Sequence, residues 1–86
     1  MRDVKITGTR GYIDIENDGK VARFSGDLCI DGFAAIACTM KWLPPHDNLP
    51  VTEEERLSLM RAVREEVKDN KYKVFFTNSK YEDIDF

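Results

Sequence analysis

Two consecutive prolines, Pro44 and Pro45, constrain this chain more than any other feature. Neither can donate a ladder hydrogen bond, each fixes its own φ, and Pro44 pushes Leu43 towards an extended conformation. A sheet that reaches this point has to stop near Leu43. The prolines sit in Lys41-Trp42-Leu43-Pro44-Pro45-His46-Asp47. Before this stretch the sequence reads as strands joined by tight turns, and after it comes the one convincing helix. Trp42, the only tryptophan, is the largest apolar side chain available to fill the corner between sheet and helix. We read it as a core anchor in preference to a ligand-stacking residue, because buried aromatics dominate core energetics.

Val4 and Ile6 alternate with Lys5 and Thr7, a first strand that ends at Gly8 or Gly11. Tyr12 to Glu16 alternates cleanly, and Asp18-Gly19 supplies the residues that a two-residue hairpin loop with positive φ requires. Pairing Asn17 with Lys20 sets Ile15 opposite Ala22, Ile13 opposite Phe24 and Asp14 opposite Arg23. Apolar residues then meet apolar ones, and a carboxylate meets a guanidinium. A second turn, Asp31-Gly32, separates Leu28-Cys29-Ile30 from Phe33-Ala34-Ala35-Ile36. Its strict register would place Trp42 on the wrong face, so a bulge at Gly26 is the expectation. Phe33 to Trp42, apolar on both sides, reads as the central strand.

Thr52-Glu53-Glu54-Glu55 is a capping box at a helix start. Leu59, Met60, Val63 and Val67 form its apolar stripe, with Glu54, Ser58, Arg61, Glu65 and Asp69 opposite. Asp69-Asn70 ends the helix, and Tyr72 to Thr77 forms a last strand. The tail Tyr81 to Phe86 either adds a short strand or extends as an exposed arm. The fold class expected is α+β: an antiparallel sheet of about five strands in the order β-β-β-β-α-β, with one helix packed on one face. Residues 1–86 make a single small domain, since a chain of this length buries only about 60–65% of its unfolded surface around one core.

No apolar run approaches the length of a membrane span, and the N-terminus has no apolar signal-peptide core. A cytoplasmic location is therefore the expectation. Cys29 and Cys38 fit that compartment as reduced thiols, each acting as a small hydrophobe in its strand. One histidine and two cysteines at irregular spacing match no zinc pattern, so no metal is expected. There is no glycine-rich loop leading into a helix, hence no phosphate cradle and no cofactor. His46 with Asp47 is the one conceivable acid–base pair, and a loop stabilised by these residues is the better reading. The chain does not read as an enzyme.

The net charge is −3, and the acids cluster at Glu53 to Glu55 and at Glu82, Asp83 and Asp85. The first cluster reads as a solvated helix end. No basic stripe interleaved with aromatics is present, which argues against nucleic acid as the direct ligand. An acidic surface suits a basic partner.

The order Thr9-Arg10-Gly11-Tyr12-Ile13, Asp18-Gly19-Lys20-Val21, Ser25-Gly26-Asp27-Leu28, Lys41-Trp42-Leu43-Pro44-Pro45-His46-Asp47 and Thr52-Glu53-Glu54-Glu55 resembles a bacterial immunity-protein family. It is the seventy-fourth in the numbered series attached to polymorphic toxin systems. The resemblance runs from Arg10 to Phe76, with Asp27 in place of a glutamate and Leu43 in place of an acid. It implies a cytoplasmic protein that binds and neutralises a cognate toxin domain, often a nuclease, delivered by sibling cells as in contact-dependent growth inhibition. Trp42, Pro44, Pro45, His46 and Asp47 carry the likeness and are assigned to structure. Glu82, Asp83 and Asp85, with Tyr81 and Phe86 as apolar anchors, are the expected toxin-facing residues. The competing reading is a non-enzymatic adaptor or structural module of a phage or secretion system. A monomer is expected, with pairing of two copies through an exposed edge strand left open.

Overall fold

The computed structural model describes residues 4–84 and 86. Six strands and one helix follow in the order β1 (Lys5–Gly8), β2 (Tyr12–Asn17), β3 (Lys20–Cys29), β4 (Gly32–Ile36), β5 (Lys41–Trp42), α1 (Glu53–Val67) and β6 (Lys73–Thr77), with a 3-10 turn at Ala37–Thr39. The strands form a single sheet ordered β1-β2-β3-β4-β6, and β5 pairs with β3 off this path.

The Asp18-Gly19 hairpin has the expected register throughout: Asn17 opposite Lys20, Ile15 opposite Ala22, Asp14 opposite Arg23 and Ile13 opposite Phe24. Both turn residues have positive φ, 53° and 81°. The second hairpin differs by one residue. Cys29 pairs with Gly32, so its loop is Ile30-Asp31 and Gly32 belongs to the strand. The cause lies far away in sequence. A Cβ on Gly32 would fall 1.8 Å from the Lys73 carbonyl oxygen, so glycine here admits β6 instead of closing a turn.

The register shift expected as a bulge at Gly26 is produced on the opposite strand. Gly26 pairs with Ala35, Ala22 pairs with Trp42, and the 3-10 turn absorbs the extra residues between them. Phe33 to Trp42 is consequently two strands, not one. Thr39 stabilises the interruption: its hydroxyl donates to the Ile36 carbonyl (2.6 Å) and accepts from the Ser25 amide (2.9 Å). Gly26 is still needed, because a Cβ there would lie 1.9 Å from the Ala34 carbonyl oxygen. Trp42 thereby reaches the apolar face, where it is buried and its indole N–H donates to the Pro50 carbonyl at 3.3 Å.

The sheet is mostly antiparallel, as expected, but one pair departs from that pattern and makes it mixed. β6 runs parallel to β4, from Gly32 beside Lys73 to Ile36 beside Thr77. A parallel neighbour needs a crossover, and the chain from β5 through α1 provides it. Thr52 caps α1 by accepting from the Glu55 amide at 3.1 Å. The helix buries Leu59, Met60, Val63 and Val67 on a core that includes Ile13, Ile15, Phe24, Phe33 and Phe76, the stripe read from the sequence.

Cys29 and Cys38 are free thiols, as expected, but both are exposed. Cys29 pairs with the hairpin-end residue Gly32 and Cys38 lies in the 3-10 turn, so neither fills the core as alternation had suggested.

Candidate functional site

Side chains alternate across the sheet. Phe33, Ala35, Val74 and Phe76 therefore face the helix, while Asp27, Ala34 and Phe75 form a row across β3, β4 and β6 on the outer face. Ala34 is nevertheless buried. The tail accounts for this, since the Tyr81 hydroxyl reaches across the sheet and donates to Asp27 Oδ2 at 2.7 Å. The result is a hollow of about 350 Å³ lined by Asp27, Cys29, Ala34, Phe75, Tyr81 and Asp83. Phe75 and Tyr81 remain 40% and 48% exposed. Two half-open aromatic rings beside carboxylates make this the most distinctive part of the outer face.

The tail is not a free arm. Asn78 builds its turn: the side-chain carbonyl accepts from the amides of Lys80 (2.8 Å) and Glu82 (3.0 Å), and the side-chain amide donates to Glu82 Oε1 (2.9 Å). Asp83 then bridges back to Thr77, and the Ile84 amide donates to the Phe76 carbonyl at 3.4 Å. Tyr81 has φ +61°, a conformation rare for a bulky residue, which persists where the surroundings over-determine it. Its bond to the Asp27 carboxylate raises the phenol pKa above the ordinary value, with partial burial and the charge of Asp27 acting in the same direction.

The expected toxin-facing residues thus separate. Tyr81 and Asp83 join the hollow, and Glu82 is exposed beside it. Asp85 lies outside the described residues. Phe86 turns the other way, meeting the Phe76 ring edge-on at 5.6 Å. The Arg64 guanidinium covers its ring at 4.4 Å and donates to its carbonyl at 2.9 Å. Phe86 is therefore a clasp on the helix side and not an outward anchor.

Phe75 and Asp27, which sequence reasoning left out of the site, are brought in by the parallel docking of β6. Alternation had placed Phe75 opposite Tyr72, Val74 and Phe76; nothing local says that the face it occupies stays open.

Elsewhere some of the acids are engaged. Glu53 pairs with Arg56. Glu55 accepts from the Thr52 hydroxyl (3.1 Å) and from Lys20 (3.4 Å); the Thr52 bond, the largest influence, holds its carboxyl below the ordinary value, helped by Lys20 and opposed by desolvation. On the outer face Arg23 binds Asp14 with two hydrogen bonds, 2.8 and 3.0 Å. The same guanidinium lies 3.8 Å from the Tyr12 ring centre.

β5 ends at Trp42, and the His46 backbone turns the loop, its amide donating to Leu43 and its carbonyl accepting from Leu49. No hydrogen bond joins His46 to Asp47 among the described residues. Nor do three His, Cys, Asp or Glu side chains converge as a metal site among them. No helix is long and apolar enough to cross a membrane.

The outer face of this small sheet presents half-exposed aromatics beside carboxylates. A family model fits the chain over residues 5–77, and the chain belongs to that family, Immunity protein 74. Membership implies neutralisation of a cognate toxin. No curated protein and no solved structure matches the chain. The matched residues include Asp27, Cys29, Ala34, Phe75 and Thr77 of the hollow, while Tyr81 and Asp83 lie beyond the match.

Proposed function

We propose that this protein neutralises its toxin in the cytoplasm by binding it non-catalytically through the outer face around Phe75 and Tyr81. The observation that supports this is the bond from Tyr81 to Asp27, which holds an aromatic pair half-exposed beside Asp27, Glu82 and Asp83. Rigid aromatics at the centre of a patch with a charged rim have the make-up of an interface hot spot. The acidic rim suits a basic surface, and a nuclease cleft is such a surface: carboxylates can occupy phosphate subsites and steer the encounter.

The test is co-purification with the toxin domain encoded beside this gene, followed by a nuclease assay of the mixture. Inhibition at one-to-one stoichiometry, lost in Tyr81→Ala and Phe75→Ala, is the result expected. Truncation after Lys80 is a poor substitute, because it also removes the Phe86 clasp from Phe76 and Arg64. A toxin that stays active in a stable complex would refute neutralisation by direct binding. A cognate toxin that does not act on nucleic acid would refute the nuclease assignment alone.

A further inference from the structure

The two outer edges of the sheet are finished differently. Along β6 the chain's own tail returns, with Asp83 bridged to Thr77 and the Ile84 amide on the Phe76 carbonyl. Along β1 nothing among the described residues pairs, since β1 is the last strand in the order and its ladder partner is β2. The Thr9 amide donates to the Tyr12 carbonyl at 2.9 Å, which fixes the alternation of the β1–β2 ladder. Thr7 and Lys5 share that phase and bond inward to β2, so the N–H and C=O groups of Ile6 and Gly8 point away from the sheet.

Beneath this edge, between β1 and the end of α1, lies a groove of about 450 Å³ whose apolar lining includes Ile6, Ile13, Leu28, Val67, Tyr72 and Val74. Leu28 and Tyr72 are 51% and 48% exposed. The one charged side chain lining it is Arg10. Lys5, paired across from Glu16, stands on the other face of the same strand. Among the described residues neither side chain makes a hydrogen bond or ion pair, and only Lys5 has an acid, Glu16, as its register neighbour.

We propose that the β1 edge binds an extended segment of a partner protein, added as a further strand, whose inward residues are apolar and whose outward residues are acidic. Main-chain bonds to Ile6 and Gly8 would supply affinity. The groove would supply specificity through alternate side chains, as in other strand-addition complexes. Charge selects the occupant. A second copy would bring its own Lys5 and Arg10 to the same edge, adding positive charge where the edge is already basic. The acids of an added strand would share the face of Lys5, and Arg10 in the groove adds only a longer-range attraction. This inference concerns the opposite edge of the sheet from the Tyr81 hollow and stands or falls separately from it.

The test uses the full chain, isotopically labelled, with two seven-residue peptides: one alternates valine with glutamate, the other valine with lysine. The glutamate peptide should slow amide exchange at Ile6 and Gly8 by about tenfold or more, while the lysine peptide should not. The variant Lys5→Glu with Arg10→Glu changes two exposed side chains; with a second carboxylate across from Glu16 it should melt somewhat below the parent, stay folded, and reverse the preference. The proposal is overturned if the glutamate peptide protects neither amide, or if it binds the charge-reversed variant equally well. It is also overturned if protection rises with protein concentration alone, which would assign the edge to a second copy.

Discussion

Tyr81 pairs a left-handed backbone with a hydrogen bond to a carboxylate on a distant strand, and the second helps to hold the first. Its phenol stays protonated as donor to Asp27, so the folded-state pKa exceeds the ordinary value of about 10. A raised pKa means that this contribution to stability is complete below the ordinary value and is lost as pH rises through the folded one. A spectrophotometric titration should therefore contain a tyrosinate step above about pH 10 that Tyr81→Phe removes. At the opposite corner, Trp42→Ala should cost about 3–5 kcal/mol in urea unfolding, because it empties a buried site at the sheet–helix junction. Loss of immunity in that variant would report unfolding and not contact. The role of Trp42 was legible from its size and its place before two prolines. The role of Phe75 was not, since a residue's face is given by alternation but the openness of that face depends on what lies beyond it.

At the scale of the element, glycine shows how far local reasoning reaches. Asp18-Gly19 needed only its own backbone conformation, and the whole register of β2 against β3 followed from it. Gly32 invited the same reading as a turn residue, yet its glycine serves the approach of Lys73, some forty positions on. Gly32→Ala and Gly26→Ala should each destabilise by about 1–3 kcal/mol or more, as overpacking against rigid backbone does. Gly11→Ala, with nothing within 4 Å of its new methyl group, should be far milder; parallel denaturation curves of the three variants check this. The helix was legible in its cap and apolar stripe, because capping and amphipathic spacing are local, though it ends at Val67 and not at Asp69-Asn70. Thr52→Ala should cost about 1 kcal/mol. The partner and direction of β6 were not legible, since they depend on how a crossover closes and not on the strand's own pattern.

Across the whole molecule, the sheet has one face closed by the helix, one face open, one edge met by the tail, and one edge, along β1, with no further strand partner among the described residues. The tail links these regions by crossing the β6 edge, with Tyr81 on the open face and Phe86 under Arg64 on the helix side. Reading the tail as acid-rich identified a feature of the surface, but composition could not show that its two aromatics end on opposite faces. The central claim is that the open face around Phe75 and Tyr81 meets the toxin. The most direct measurement is the equilibrium affinity of the purified chain for its cognate toxin domain, compared with that of Phe75→Ala at matched thermal stability. Removing an aromatic hot spot should weaken binding by about 30-fold or more. A folded Phe75→Ala protein that binds the toxin as tightly as its parent would contradict the account.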